Sequence, residues 1–440
     1  MTAPTLTDQH EQALAARRPP TTSDALTRLL GRAFEGTPGR LRLLGILSVL
    51  ACGLFSVFAF AGATTRSGAL ANARADANQL VRIQTIHTNL VAADASLTNA
   101  FLVGGLEPAG ERNAYQQGIA TASKTLSEAS GADASDAAVL ADVNDVITSY
   151  SGLVESARSY NRQGLPVGAA YLRQAITLLH DKALPLLQSL GVSEQNRVDH
   201  AYAASAHAVY WPLAGLVTAL AVLLYSLIWV ARRTNRVINV GLAGAAVTVL
   251  VVGALLTGLM AWSQSKASRT RDGSYFATLE LASARIVAFD AKSAESLTLI
   301  NRGSGQSDEA DFATLAANAT LVLQDATDRG GAAEAAASHA FTAYTSVHKS
   351  IRAFDDGGKW DQAVALATAP IGNLDTANST FAAFDRTSAE ALNARAARAN
   401  SEFSAARSPL TWFGWIALLL GLAAAVAAWR GIADRLREYR

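Results

Sequence analysis

Four long apolar stretches divide the chain. Runs without any charged residue cover 43–65, 208–231, 237–265 and 408–429, and each reaches the roughly 20 residues that a helix needs to cross a bilayer core. Tryptophans stand near the ends of these runs, where an indole can lie in the membrane interface with its N–H hydrated: Trp211, Trp229, Trp262, Trp412, Trp415 and Trp429. The pattern therefore predicts four transmembrane helices.

Arginines near the ends of these runs predict how the chain is oriented. The short segment 232–236 contains Arg232, Arg233 and Arg236, and basic residues of short loops stay on the cytoplasmic side. The tails 1–42 and 430–440 are also rich in arginine. We therefore expect both termini in the cytoplasm of a multi-pass cell-membrane protein.

With that orientation, the two long loops, 66–207 and 266–407, lie outside the cell. A cleaved signal peptide is the alternative reading of the first apolar run, because Ala59 and Ala61 form an A-x-A pattern there. A tail of about 40 residues before the run argues against it.

The two halves of the chain repeat each other. A shift of 196 places Val-Ala-Ala-Asp-Ala at 91–95 on Val-Ala-Phe-Asp-Ala at 287–291, since 287 − 91 = 196. A shift of 194 places Tyr150 on Tyr344 and Gly164 on Gly358. An even number of spans separates the loops, so the repeats have parallel topology.

Each loop begins with a helical pattern of apolar positions. A 3-4 alternation predicts one seam of a long helix, formed in the first loop by Leu80, Ile83, His87, Leu90, Asp94, Leu97 and Phe101 and in the second by Phe276, Leu279, Ser283, Ile286, Asp290, Ser293 and Leu297. Glycine-rich turn signals then divide each loop into four segments. We predict an all-α fold with two extracytoplasmic up-and-down four-helix bundles in tandem.

The outer helices of each bundle are expected to continue into the spans. Pro185 and Pro370 fall within the predicted fourth helices. Each proline predicts a local kink at which the helix can absorb motion.

Two acidic residues on the apolar seams are candidate site residues. Asp94 and Asp290 occupy equivalent positions, and a buried carboxylate needs a partner, exposure to water or a ligand. A neighbouring arginine is one expected partner. A ligand is the alternative, with His87, Arg74 and Arg82 as further candidate groups, although the repeat partners of the two arginines are not arginine.

Composition narrows the possible functions. The 440 residues are 50% hydrophobic and 17% charged, with a net charge of +1 and a mean hydropathy of +0.18, so no strongly basic field indicates nucleic acid. The one cysteine excludes a disulfide framework. Motifs of hydrolases, kinases and metal sites are missing, and the spans lack the ionisable residues that transporters use. We expect no enzyme, no cofactor and no metal.

The cytoplasmic segments contain candidate coupling residues. Leu26, Leu29, Leu30 and Phe34 form an apolar stripe beside arginines, which predicts an amphipathic juxtamembrane helix that either lies on the bilayer or docks a cytosolic protein. The short loop with Arg232, Arg233 and Arg236, and the last tail with Arg435 and Leu436, are further candidates.

Two bundle-bearing hairpins, inside termini and the duplicated segments at 91–95 and 287–291 together resemble the GlnX-type membrane sensors of actinobacteria. Each half is similar to a chemoreceptor four-helix bundle. The resemblance implies a relay in which an extracytoplasmic GlnH-like lipoprotein binds aspartate or glutamate and a cytosolic PknG-like Ser/Thr kinase receives the signal. The same likeness makes a homodimer an expectation. Two alternatives stay open: direct sensing of a small molecule, and a membrane scaffold that does not signal.

Overall fold

The computed structural model describes residues 36–103, 107–234, 239–369 and 375–437, and its regular elements there are all helical. The all-α prediction is therefore confirmed. The helices are α1 (Gly36–Val103), α2 (Ala109–Ala132), α3 (Ala137–Arg162), α4 (Val167–Leu178), α5 (Leu184–His207), α6 (Tyr210–Thr234), α7 (Val240–Thr270), α8 (Phe276–Ile300), α9 (Gln306–Arg329), α10 (Ala332–Asp356), α11 (Trp360–Thr368) and α12 (Ala377–Arg437), with π-helical segments at Leu179–Ala183 and Arg271–Tyr275.

The chain forms two compact units. We call them the membrane unit, whose described parts are 36–65, 208–234, 239–261 and 410–437, and the bundle unit, 66–207 with 262–409. Within the described ranges, four helical stretches are long and apolar enough to cross a bilayer. Their number and composition confirm a multi-pass membrane protein.

Small residues let the helices of the membrane unit approach closely. A Cβ added to Gly241 would lie 2.6 Å from the Cα of Gly431, so α7 and α12 touch through their backbones. Asn239 strengthens this contact because its Nδ2 donates to the Gly431 carbonyl at 2.7 Å. Close approach of small residues is how helices associate where lipid removes the hydrophobic driving force.

The bundle unit contains two four-helix bundles. The first is built from the distal part of α1 with α2, α3 and α4–α5, and the second from α8, α9, α10 and α11–α12. Equivalent turns after α3 and α10 contain Gly164 and Gly358, at φ 70° and 73°. Residues other than glycine rarely adopt this left-handed backbone conformation. This explains why both copies of the repeat have a glycine there.

Of the two predicted proline kinks, only the one at Pro185 falls within the described residues. The fourth helix of the first bundle continues from α4 to α5 through the π-helical segment Leu179–Ala183, whose wider turn accommodates Pro185, a residue without an N–H for the i−4 carbonyl. In the second bundle α11 ends at Thr368 and α12 begins at Ala377. Pro370 itself lies outside the described residues.

The expected continuity of the outer helices is also corrected at one place. Helices α1 and α12 are uninterrupted, but α5 ends at His207 and α6 begins at Tyr210. Pro212 explains the break because its ring would clash with the carbonyl of residue 208 in a continuous helix.

Candidate functional site

The candidate site is the interface at which the two bundles meet through α1 and α8. The hydroxyl oxygens of Thr98 and Ser293 lie 3.3 Å apart and are buried. Ser293 also donates to Asp94 Oδ2 at 3.3 Å. The contact between the bundles is therefore polar at its centre, although apolar residues surround it.

Asp94 is the hub of this polar centre. Its side chain is 1% exposed, accepts a hydrogen bond from the Tyr150 hydroxyl at 3.2 Å and lies 3.4 Å from Nε2 of His180. The predicted arginine partner is thus replaced by a tyrosine, a serine and a histidine. His180 reaches Asp94 from the π-helical segment, a type of local distortion that is frequent at functional sites.

The charge of Asp94 shifts the titration of its neighbours. Burial raises the pKa of Tyr150 well above its ordinary value, and the Asp94 carboxylate adds to this effect. Burial opposes protonation of His180, but the hydrogen bond to Asp94 and the charges of Asp94 and Asp290 outweigh it and raise the His180 pKa. The two acidic groups therefore favour the protonated form of His180.

Asp290, the repeat equivalent of Asp94, has a different environment. It is partly buried and makes no hydrogen bond to any residue that the structure describes. Burial raises its pKa to about 7, the charge of Asp94 adds to the rise and that of His180 opposes it. Asp290 and His87 line one cleft between the bundles, and burial together with the charge of His180 lowers the His87 pKa to about 4.

We expect Asp290→Asn to stabilise the bundle unit above neutral pH. The folded pKa of about 7 exceeds the ordinary value of 3.8, so the unfolded chain loses this proton first and wild-type stability falls as pH rises between these values. Asparagine removes that loss, which is on the order of 1–3 kcal/mol. Thermal unfolding at about pH 8 should show the gain and at about pH 4 should not. The exposed Asp311→Asn is the control, and an unchanged or lower melting temperature at pH 8 contradicts the assignment.

The two predicted arginines do not form one pocket. Arg74 donates through Nε to Asn400 on α12, whereas Arg82 donates to Gln79 of its own helix at 3.2 Å. Each guanidinium is engaged by a neutral amide, and the two are eight residues apart on α1 (82 − 74 = 8).

The predicted coupling residues lie elsewhere in the chain. Leu26, Leu29, Leu30, Phe34 and Arg236 lie outside the described residues. Arg232 and Arg233 are exposed in the last turn of α6, and Arg435 and Leu436 lie in the last turn of α12.

A buried charge network in the second bundle was not predicted. Glu295 is fully buried and accepts from Lys292 Nζ at 2.6 Å, while Nδ1 of His348 lies 2.8 Å from its other oxygen. Burial raises the Glu295 pKa, but Lys292 and His348 outweigh it and hold the value at about 2. The 3-4 spacing did not predict this network, because it selects the seam positions of α8 and Lys292 and Glu295 lie between them.

A repeated ion pair closes the same end of each bundle. Arg197 on α5 donates to Asp136 at the start of α3 at 2.6 Å, and Arg395 on α12 donates to Glu334 at the start of α10. Both residues of the pair are related by a shift of 198 (334 − 136 and 395 − 197). The other repeated segments are offset by 196 or 194 residues. Comparing the two halves at an offset of 198 would have found this pair from the sequence.

The first of these pairs belongs to an acidic cluster. Oxygens of Asp133, Asp136 and Glu194 lie within 4.8 Å of one another, and the Arg197 guanidinium contacts all three carboxylates. Gln79 of α1 also donates to Asp136 at 2.9 Å. The cluster therefore ties α1, α3 and α5 together by charge.

One comparison with known proteins found a family match, and the match lies in the first bundle. Residues 69–203 match the family model of the actinobacterial sensor domain, a range that begins on α1 and ends on α5. The searches of curated proteins and of solved structures found no match. The family match confirms the resemblance to an actinobacterial sensor. Residues 69–203 are therefore similar to the actinobacterial sensor domain, in a chain whose described residues include four candidate membrane-spanning helices.

Proposed function

We propose that this protein relays the extracytoplasmic availability of aspartate or glutamate to the cytosol. In this proposal a GlnH-like binding lipoprotein docks on the bundles and a PknG-like Ser/Thr kinase reads the cytoplasmic segments. The observation that supports a relay best is the polar contact between α1 and α8 at Asp94, Thr98 and Ser293. The chain itself acts without catalysis, cofactor or metal.

A polar interface between bundles is suited to two alternative packings. The hydrogen bonds around Asp94 measure 3.2–3.4 Å, and each contributes about 0.5–1.5 kcal/mol. A partner that prefers one packing by a few kcal/mol can therefore shift the population of the two states. Helix shifts of about 1–2 Å at an interface are a common form of such a change.

The relay predicts that fixing α1 to α8 stops the signal. Thr98→Cys with Ser293→Cys, in a Cys52→Ser background, should form a disulfide because the native hydroxyl oxygens are 3.3 Å apart. We expect the oxidised protein to lose the kinase response to aspartate or glutamate in cells, and a permeant reductant to restore it. The matched controls are the two single-cysteine variants. A full response by the crosslinked protein would refute the relay through this interface.

The cytoplasmic output is tested by a separate change. Deleting residues 1–38 and 432–440 should abolish kinase coupling while binding of the lipoprotein stays at wild-type level. Binding is measured with the purified chain in nanodiscs. A normal kinase response after this deletion would exclude these segments as the output.

The proposed orientation places both bundles outside the cell and both termini inside. Ser149 and Ala343 are exposed at equivalent positions of α3 and α10. In a Cys52→Ser background, Ser149→Cys and Ala343→Cys should both react with a membrane-impermeant maleimide in intact cells. Labelling of only one of them would place the bundles in opposite compartments and end the proposal.

Direct sensing of a small molecule is a second candidate function, favoured by a cleft between the bundles of about 700 Å³. A scaffold that does not signal predicts no ligand response in any of these experiments. A homodimer stays a prediction that the size of the purified complex would test.

A further inference from the structure

A cleft opens between the two bundles beside the polar centre. Its volume is about 700 Å³, within the range of small-molecule sites. Helices α1, α5 and α8 form most of its wall, and apolar side chains dominate the middle: Leu80, Ile83, Leu187, Ile286 and Val287. The space is large enough for an elongated ligand.

Several polar groups that line the cleft lack hydrogen-bond partners among the described residues. Among the described residues, Glu280 and Gln84 line the cleft, and one buried oxygen of each, Oε2 of Glu280 and Oε1 of Gln84, has no hydrogen-bond partner. Asp290 and His87, which also line the cleft, make no hydrogen bond to a described residue. Unpaired buried acceptors are costly, so the cleft calls for a ligand rich in N–H donors.

The charge of the cleft is negative. Glu280, Asp290 and Asp325 line it, and Asp94 contacts the lining residue His180. The nearby cations are already engaged, since Arg329 pairs with Oε1 of Glu280 at 3.4 Å and His180 lies 3.4 Å from Asp94. The electrostatic complement is therefore a cation with more than one charge.

The distance between the acidic groups indicates how long that cation must be. Glu280 and Asp290 are ten residues apart on α8 (290 − 280), which is about 15 Å at 1.5 Å per residue. Apolar residues such as Ile286 and Ile83 line the cleft between them. Charged ends with an apolar middle match a chain of methylene groups that joins ammonium groups.

We propose that this cleft binds a linear aliphatic polyamine, with ammonium groups on Asp290 and Glu280 and its methylene segments against Ile83 and Ile286. Gln84 accepts a hydrogen bond from an internal amine. The ligand replaces the missing donors of the α1–α8 interface and so favours the packing in which the bundles are closed on it. This input is separate from lipoprotein docking, and its binding is measured without the kinase.

The test uses the purified full chain in nanodiscs of uncharged lipid, with spermidine as the probe. At fixed ionic strength, calorimetry should show saturable binding and the melting temperature should rise with spermidine. Asp290→Asn and Glu280→Gln should each weaken binding about tenfold or more, whereas Asp311→Asn, an exposed carboxylate of α9, should leave it unchanged. A monoamine with the same number of carbons should bind at least tenfold more weakly, because it reaches one carboxylate only.

Proton release gives an independent readout. Because burial raises the pKa of Asp290 to about 7, an ammonium group that favours its ionised form should release protons when it binds near pH 6. Calorimetry in two buffers of different ionisation enthalpy measures this release, which Asp290→Asn should remove. Two results would overturn the proposal: no saturable binding at millimolar spermidine, or equal binding by the Asp290→Asn, Glu280→Gln and Asp311→Asn variants. Either can occur while the relay to the kinase is intact.

Discussion

Replacing Glu295 with glutamine should destabilise the second bundle by about 3–5 kcal/mol, the loss found when one partner of a buried ion pair is removed. Glutamine preserves the shape but not the charge that holds Lys292 Nζ at 2.6 Å and His348 Nδ1 at 2.8 Å. Lys292 is 4% exposed and would be left as an uncompensated buried ammonium. Chemical denaturation of the purified full chain measures the loss.

Two further variants separate charge from packing. Glu309→Gln changes a carboxylate whose side chain is 31% exposed, so its effect should be below about 1 kcal/mol. Lys292→Met combined with Glu295→Gln removes both charges and should recover much of the stability. If Glu295→Gln cost no more than Glu309→Gln, the network would have no structural importance.

The network should also make the stability of the second bundle fall in acid. Lys292 and His348 hold the pKa of Glu295 at about 2, below its ordinary value of 4.5. A depressed carboxyl pKa stabilises the fold above the ordinary value, and this stabilisation is lost as pH falls from about 4.5 towards 2. Wild-type and Glu295→Gln stabilities should therefore converge in this acidic range.

Replacing Asp94 with alanine should destabilise the bundle unit by about 2–4 kcal/mol. Three groups lose their acceptor at once, namely the hydroxyls of Tyr150 and Ser293 and the imidazole of His180, and unsatisfied buried groups cost about 1–3 kcal/mol each before relaxation. Thermal and chemical unfolding of the full chain measure this effect. Ser293→Ala, which removes one hydrogen bond to Asp94, should cost only about 1 kcal/mol.

The same variant should change the titration of His180. The hydrogen bond and the charge of Asp94 raise the His180 pKa against the opposing effect of burial, so Asp94→Ala should lower it. Asp94→Asn retains an acceptor for Tyr150 and should recover part of the stability but not the raised His180 pKa. Histidine NMR signals of the purified chain report the pKa. An unchanged His180 titration in Asp94→Ala would show that these two residues are not coupled.

Local patterns were sufficient for the architecture. Uncharged runs of sufficient length predict spans, because lipid leaves no partner for an exposed backbone or charge, and the 3-4 seams predict helices because side chains three and four residues apart share one face. The sequence repeat also predicted equivalent turns at Gly164 and Gly358, where the backbone requires glycine. These features depend on neighbours along the chain.

The candidate site required the tertiary structure. Both seam acids, Asp94 and Asp290, were found from the apolar pattern, but only packing decided that one is paired by Tyr150, Ser293 and His180 while the other faces a cleft. The partners of Asp94 come from three other helical segments, 56 to 199 residues away in sequence. The buried pair of Lys292 and Glu295 likewise gained its histidine from α10.

By itself, then, the sequence determined the four apolar helices, the tandem duplication and the helical bundles, since each follows from periodicity and turn chemistry within one segment. The tertiary structure alone decided which polar residues meet, because hydrogen bonding and desolvation depend on groups brought together from distant parts of the chain. It also decided that two equivalent aspartates differ, one a satisfied hub between the bundles and the other an open acceptor with a pKa of about 7.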